Sequence, residues 1–371
     1  MRLPTEDEKP FSSNVKEKEA IELIREAVDR GINYIDTAWP YHSGESEKIV
    51  GKALEDGYRE KVKIATKFSW PYVENELDVS LEDRDDWYFL FDEQLDRLKT
   101  DKIDFYLLHS LDKSKWSRYK ESGIFDWLEE LREAGKIDYI GFSFHDDLDL
   151  FKEIVDYYEW DFCQIQYNYV DLEHQAGREG LEYASDKGLG VIVMEPLRGG
   201  ELAKKLPNEV KEILDADNSK QAVELALKWL WNQPGVSLVL SGMSNLRQVR
   251  QNIEIAESYK KDEITEEELS SLEKARKKYL AISPVDCTGC NYCMPCPNEI
   301  NIPRVFELYN KSEVHGEFEK QKKKYIKLPE KEKPKNCVSC GECKTKCPQD
   351  IDIPEKMEEI TRYFNKEKQV K

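Results

Sequence analysis

Ile103-Asp104-Phe105-Tyr106-Leu107-Leu108-His109 is the stretch that decides the fold. Its apolar residues run on without alternation, as in a strand buried on both faces, and such strands belong to parallel sheets covered by helices. Six more β-like runs flank it, at residues 32–35, 62–66, 139–144, 162–167, 190–194 and 237–240, with helix-sized sequence between each and the next. Successive strands joined by helices are parallel with crossover connections. Ahead of the first run, Ala20, Ile21, Ile24, Ala27 and Val28 form one helical stripe, which Gly31 ends. The pattern fits a (β/α)8 TIM barrel better than a doubly wound open sheet, because no G-x-G-x-x-G phosphate turn occurs. The eighth strand would have to precede Glu17, where only Met1-Arg2-Leu3-Pro4 stands, so most of the first barrel strand is expected to be missing and the amino terminus reads as clipped.

The 371 residues carry 75 Asp and Glu against 56 Lys and Arg, a formal charge of −19. A chain so acidic repels nucleic acid and anionic membranes, and neither is expected as a partner. No apolar stretch is long enough for a membrane span, and Met1 to Lys9 has no signal-peptide core, so a cytoplasmic protein is expected. Eight of the nine cysteines lie beyond residue 286, where the chain changes character. The boundary is placed near 282, giving a barrel over 1–282 and a cysteine domain over 283–371. In a cytosolic chain such a cluster indicates metal or redox chemistry rather than disulfides.

In an α/β barrel the working groups sit just past the strands. Asp36, Lys67 and His109 each follow a β run, and Tyr41 lies in the loop after the first. Singly, each has a plain alternative: a turn cap, a solvated strand end, a satisfied core histidine. Together they resemble the aldo-keto reductases, in Asp36-Thr-Ala-Trp-Pro-Tyr41, Ala-Thr-Lys67 and Leu-Leu-His109, with the landmarks Gly44-Glu-Ser-Glu47, Gln164-Ile-Gln-Tyr-Asn168 and Glu195-Pro-Leu-Arg-Gly-Gly200. The resemblance covers Met1 to about Tyr259. It implies that Tyr41 donates a proton to a carbonyl oxygen, that Lys67 lowers the phenol's pKa, that Asp36 holds Lys67, and that His109 orients the substrate.

The same resemblance implies NADPH or NADH as hydride source. It places Ser143 and Gln164 at the carboxamide and Met194 where many members stack a tyrosine on the nicotinamide. Ser241, Gly242, Ser244, Asn245, Gln248 and Asn252 fall in the dinucleotide-phosphate loop and the helix after it. Gly242 and Gln248 stand where NADP-preferring members present a Lys and an Arg, so the choice of cofactor stays open, with Arg247 and Arg250 nearby. Trp39, His42, Phe68, Trp70 and His145 are expected to line the pocket.

The tail reads Cys287-x2-Cys290-x2-Cys293-x2-Cys296-Pro297 and Cys337-x2-Cys340-x2-Cys343-x3-Cys347-Pro348. The second run has bacterial two-cluster ferredoxin spacing, and the first is one residue short. Two zinc sites are the alternative, but they more commonly show separated C-x2-C hooks. Under the ferredoxin rule the fourth cysteine of each run crosses over, giving Cys287, Cys290 and Cys293 with Cys347, and Cys337, Cys340 and Cys343 with Cys296. Val305, Phe306, Leu308 and Tyr309 suggest a mainly helical domain, and Lys320 to Lys335 reads as a solvated connector.

The whole chain resembles the aldo-keto reductases with a C-terminal ferredoxin-like domain. That implies a nicotinamide-dependent oxidoreductase acting on a small carbonyl or alcohol, with two 4Fe-4S clusters exchanging electrons with an external carrier such as ferredoxin. The competing reading is an electron-transfer or scaffold subunit with a silent barrel and structural clusters.

Overall fold

The computed structural model describes residues 2–7, 12–204, 206–215, 219–260, 263–287, 289, 292–314 and 316–365. It divides into two compact units, one of Met1–Tyr167, Asp171–Pro196 and Leu230–Glu263, the other of Asn168–Val170, Leu197–Trp229 and Ile264–Lys371.

Among the described residues the first unit contains one sheet of seven strands: β1 (Tyr34–Asp36), β2 (Lys63–Phe68), β3 (Ile103–Leu111), β4 (Ile137–Phe144), β5 (Phe162–Gln166), β6 (Gly190–Met194) and β7 (Val236–Val239). They pair in chain order, every neighbour parallel, as expected of a TIM-type barrel. Each lies within three residues of its expected run at either end. Among the described residues before Glu17 no strand forms, and Thr5 and Val15 share one isolated antiparallel bridge. The first helix, Glu17–Asp29, buries Ala20, Leu23, Ile24, Ala27 and Val28, so Leu23 takes the core position expected of Ile21, which is only half-buried.

Alternation along the strands sets what faces inward. Leu107, Phe162 and Ile192 form an apolar layer, joined by Tyr34, Phe105, Leu238 and Leu240. Gly141 on β4 makes room for it, because a Cβ there would come within 2.6 Å of the Phe162 ring and carbonyl. Two residues further along several strands, the same inward positions carry Asp36, His109, Ser143, Gln164 and Met194. Register aligns them: Asp36 pairs with Ala65, Lys67 with Leu107, Ser143 with Gln164 and Gln166 with Met194. A polar rim thus caps an apolar interior at the carboxyl ends of the strands.

In the second unit the helix Glu266–Ile282 starts with a capping box between Thr265 and Glu268, which satisfies two end amides. Tyr279, near its end, donates to Glu201 at 2.9 Å. The tail is helical as expected. Helices Ile302–Val314, Phe318–Ile326 and Ile353–Asn365 share a core containing Val305, Phe306, Leu308, Tyr309, Met357, Ile360 and Phe364. Residues 320–335 are not a bare connector: they complete the middle helix of the three and two 3-10 turns, and Tyr325 is buried, its ring stacked 4.5 Å from Phe364. No helix among the described residues is long and apolar enough to cross a membrane.

Candidate functional site

Asp36, at the end of β1, and Lys67, near the end of β2, form a close ion pair, with Lys67 Nζ 2.9 Å and 2.8 Å from the two carboxylate oxygens. Lys67 also donates to the Thr37 carbonyl at 2.7 Å. Those contacts occupy the ammonium's three protons. Burial pushes the amine down, Asp36 opposing it, and two carboxylate oxygens this close keep it an ammonium. Gln164 donates from Nε2 to Asp36 at 2.8 Å, fixing the carboxylate from the far side.

Tyr41 lies across this pair. The Lys67 ammonium stands 5.1 Å from the centre of its ring, over the face, and the His109 ring is 6.0 Å away, edge to face. The expected lowering of the phenol's pKa is not what this arrangement gives. Burial first and the Asp36 charge second push Tyr41 well up, because the ammonium spends its hydrogen bonds on Asp36 and Thr37. Tyr41 is therefore a phenol, proton in place, throughout the neutral range.

His109 is 2% exposed and held well below the usual imidazole range, by burial first and by the Lys67 charge second. It is a neutral ring. Ser69 Oγ lies 2.9 Å from its Nδ1, and Tyr72 covers it at 4.8 Å. Neither Ser69 nor Tyr72 was singled out in the sequence; a serine two residues past Lys67 is a weak signal, and Tyr72 gives none.

Behind Lys67 is a buried polar network. Glu47, fully buried, accepts from Thr66 at 2.6 Å, Gln94 at 2.7 Å and Arg97 at 3.0 Å. Gln94 also holds the Lys67 carbonyl at 3.1 Å and accepts from Tyr106 at 2.8 Å. The landmark Gly44-Glu-Ser-Glu47 therefore supports the strand carrying Lys67.

Ser143 and Gln164 present complementary groups. Ser143 Oγ accepts from the Ser110 amide at 2.6 Å, leaving its proton to donate. Gln164 Oε1 is buried without a hydrogen bond, and the buried Tyr34 hydroxyl lies beside the Gln164 amide. A free donor beside an unsatisfied acceptor fits a carboxamide. Met194 ends β6, and the next residue, Glu195, meets Arg2 at 3.6 Å. In the last loop Asn245 caps the helix Leu246–Ser258 through the Gln248 amide at 3.0 Å, and Gln248 Oε1 folds back onto the Ser244 amide at 2.8 Å. Asn252 donates to Ser241 at 3.0 Å, and a Cβ on Gly242 would come within 3.0 Å of the Arg2 side chain. Arg250 is engaged with Glu26 at 2.9 Å.

Four of the five expected pocket residues belong elsewhere. Trp39, under the Arg97 guanidinium, Phe68, against Trp127 and Tyr119, and Trp70, under Arg118, are core. His42, fully buried, accepts the Leu3 amide on Nε2 at 3.0 Å and donates from Nδ1 to the Ser12 carbonyl at 2.8 Å. It fastens the chain start. His145 alone is half-buried at the strand ends.

Among the cysteines, Cys290 lies outside the described residues. Cys343 is pushed up to about 11, by burial first and then by Cys337, Cys296 and Cys340, which are near enough to repel its thiolate. Cys296, of the first run, therefore lies within electrostatic range of Cys343 of the second. Burial also raises Cys347. Among the described residues no three Cys, His, Asp or Glu side chains converge tightly enough for a single metal ion.

The Aldo/keto reductase family description matches residues 3–277 and a 4Fe-4S dicluster domain matches residues 286–351. The NADH-specific methylglyoxal reductase of Escherichia coli K12 is 30% identical over 268 residues, 63% of this chain and 81% of that one. The aldo-keto reductase AKR11C1 of Bacillus halodurans, in its holo form, is 26% identical with a TM-score of 0.58, over 71% of this chain and 89% of that one. The aldo/keto reductase of Klebsiella pneumoniae, solved with NADP and acetate, gives 23% and 0.55 over 70% and 85%. With three quarters of its length under the family description and a barrel of the family's type, the chain belongs to the aldo/keto reductase family and is an oxidoreductase of that kind.

Proposed function

We propose that the protein reduces a small carbonyl compound, or oxidises the matching alcohol, with NADPH or NADH, and that two 4Fe-4S clusters in a domain over residues 283–371 exchange electrons with an external carrier. The observation that carries the first half is the convergence of Asp36, Tyr41, Lys67 and His109 on one rim, with Gln164 tying it to the carboxamide position.

A bound nicotinamide would supply the hydride, and Ser143, Gln164 and Met194 would hold it. Tyr41 donates the proton that the carbonyl oxygen needs as negative charge grows there. His109, neutral, orients that oxygen through Nε2. Lys67 and Asp36 fix the floor on which Tyr41 rests. The cofactor names of the relatives include both NADH and NADP. Here Gly242 and Gln248 carry no charge of their own, while the Arg2 side chain lies against Gly242, so the choice between the two stays open.

Cys287, Cys290 and Cys293 with Cys347 would hold one cluster, and Cys337, Cys340 and Cys343 with Cys296 the other. The matches at 3–277 and 286–351 support the boundary near 282. The test is anaerobic titration of the iron-reconstituted protein with NADH and NADPH. A working barrel binds at least one of them and oxidises it with a small aldehyde; a silent barrel does neither.

A further inference from the structure

A buried arginine stands at the entrance to the first cysteine run. Arg198 follows β6 by four residues and belongs, with Tyr169, Tyr279 and Asp286, to the second compact unit. Its φ of 43° is left-handed, uncommon for a residue with a β-carbon, and Gly199 at 62° and Gly200 at 92° continue the turn. The side chain ends inside the unit and is 2% exposed. Burying a guanidinium is costly unless its surroundings answer the charge. Among those surroundings are the Tyr279 ring, centred 5.5 Å from the guanidinium carbon, and the Tyr169 phenol, which burial pushes up and Arg198 pulls back.

Arg198 Nη2 also stands 3.5 Å from the Asp286 backbone carbonyl oxygen and 3.5 Å from the Asp286 carboxylate. That carbonyl is one half of the peptide bond to Cys287. One residue earlier, the carbonyl of buried Val285 accepts from Asn310 Nδ2 at 2.6 Å. Two successive carbonyls leading into the cysteine run are thus held by side chains from other parts of the chain, one of them a cation. Cys287 itself packs against the buried core of this unit. Two acids share the neighbourhood. Asp286 has a side chain 49% exposed, so water screens its carboxylate, and Glu201 accepts from the Tyr279 hydroxyl at 2.9 Å. The guanidinium has almost no water around it, and a charge so placed is screened far less than a solvated one.

We propose that Arg198 is a positioning residue for the cluster that Cys287 would help to hold: it fixes the peptide entering that site, and its buried positive charge raises the site's reduction potential. The inference rests on the two-cluster reading above and adds which residue outside the cysteine runs sets the energy of one cluster. Reduction adds one negative charge, the electron coming from dithionite in the experiment below; no bond breaks and no proton moves. A buried cation beside the site stabilises the reduced state more than the oxidised one, and iron–sulfur potentials respond to such charges. The sign does not depend on Asp286 and Glu201, which are present with or without the arginine: removing the cation alone lowers the potential.

The test is a dithionite titration with redox mediators, read by EPR, on the anaerobically reconstituted full-length protein; the signal that Cys287→Ser alters marks the cluster in question. At the parent's midpoint the ratio of reduced to oxidised cluster is one. In Arg198→Gln that ratio falls about tenfold, which is a midpoint about 59 mV lower. Arg198→Lys, which keeps the charge, recovers most of the fall. Asp286→Asn removes a negative charge at a half-exposed position and shifts the midpoint upward, by less. The cluster of Cys337, Cys340 and Cys343 keeps its midpoint in all three variants, and iron content stays as in the parent. Equal midpoints in parent and Arg198→Gln overturn the proposal, as does an equal fall in Arg198→Lys or an equal shift of both clusters. Should Arg198→Gln lose iron, Asp286→Asn decides: a raised midpoint supports the proposal and an unmoved or lowered one overturns it. Absence of iron, or of any centre that dithionite reduces, overturns the cluster reading and the proposal together, whereas two reducible centres indifferent to all three substitutions overturn the role of Arg198 alone.

Discussion

The Ser69 hydroxyl lies 2.9 Å from His109 Nδ1 and 3.1 Å from the Lys67 carbonyl, and it has one proton to give. Given to Nδ1, it leaves the imidazole proton on Nε2, the tautomer that can donate to a carbonyl oxygen. Given to the Lys67 carbonyl, it takes up the Nδ1 proton instead, and Nε2 becomes an acceptor that faces the substrate oxygen with a lone pair. The shorter contact favours the first state. Ser69→Ala removes this control: kcat is expected to fall between about 10- and 100-fold with cofactor affinity unchanged. Nitrogen-15 shifts of His109 are the independent readout. An Nε2–H tautomer that persists unchanged in the alanine variant, with parent turnover, would exclude the role.

Tyr41→Phe keeps the ring against His109 and removes the proton. Carbonyl reduction is expected to drop at least about 100-fold, with nicotinamide affinity nearly unchanged. Because burial and Asp36 hold the phenol well above its ordinary range, turnover in the reduction direction should show no loss from pH 6 to 9 attributable to Tyr41 ionisation. A basic-limb pKa near 8 that vanishes in Tyr41→Phe would contradict the electrostatics described above.

Lys67→Met has a larger structural consequence than Tyr41→Phe. Asp36 would be left mostly buried with Gln164 as its remaining side-chain donor, a cost of about 3 kcal/mol for an unpaired carboxylate. Urea unfolding checks this directly. The double variant Asp36→Asn/Lys67→Met should recover most of the loss in stability but none of the activity.

The seven strands could be read from sequence because β-branched and aromatic runs between helices leave a parallel sheet as the favoured arrangement, and strand alternation then fixes which residues share a rim. Asp36, Lys67 and His109 stand at the strand ends for that reason. It failed for Trp39, Phe68 and Trp70, whose aromatic character suits a pocket and a core equally well. Their partners, Arg97, Trp127 and Arg118, lie between 40 and 60 residues away in the chain and cannot be inferred from local pattern. His42 failed for the same reason: its two hydrogen bonds go to Leu3 and Ser12, backbone groups that carry no side-chain signature. Lys320 to Lys335 looked solvated because only Gln321, Tyr325 and Pro334 in it are buried.

Three histidines are held neutral. Burial pushes His42 and His109 down, and His145 is lowered to about 4 by burial first and Lys115 second. The unfolded chain takes up protons on these side chains near pH 6.5 while the folded one does not, so the unfolded state binds more protons and stability rises with pH across that interval. It is fully present above 6.5 and is lost as pH falls toward the folded-state values. Urea midpoints should therefore decline between pH 6.5 and about 4, and His42→Gln should flatten part of the slope. A midpoint independent of pH over that window would contradict the neutral assignments.

Iron and ligand exchange provide the last prediction. The first and second cysteine runs differ in spacing, yet Cys296, from the first, lies within electrostatic reach of Cys343 alongside Cys337 and Cys340, which belong to the second. Crossed ligation, proposed above, is compatible with that placement. Reconstituted protein should bind about eight iron atoms per chain, where two zinc sites would bind two metals. Cys296→Ser should then disturb the EPR signal of the cluster held by Cys337, Cys340 and Cys343 and spare the other, although Cys296 sits in the first run. Cys347→Ser should do the reverse. A serine at Cys296 that alters only the first run's cluster would show that each run closes on its own four cysteines, and the short spacing between Cys293 and Cys296 would have to be accommodated within one site.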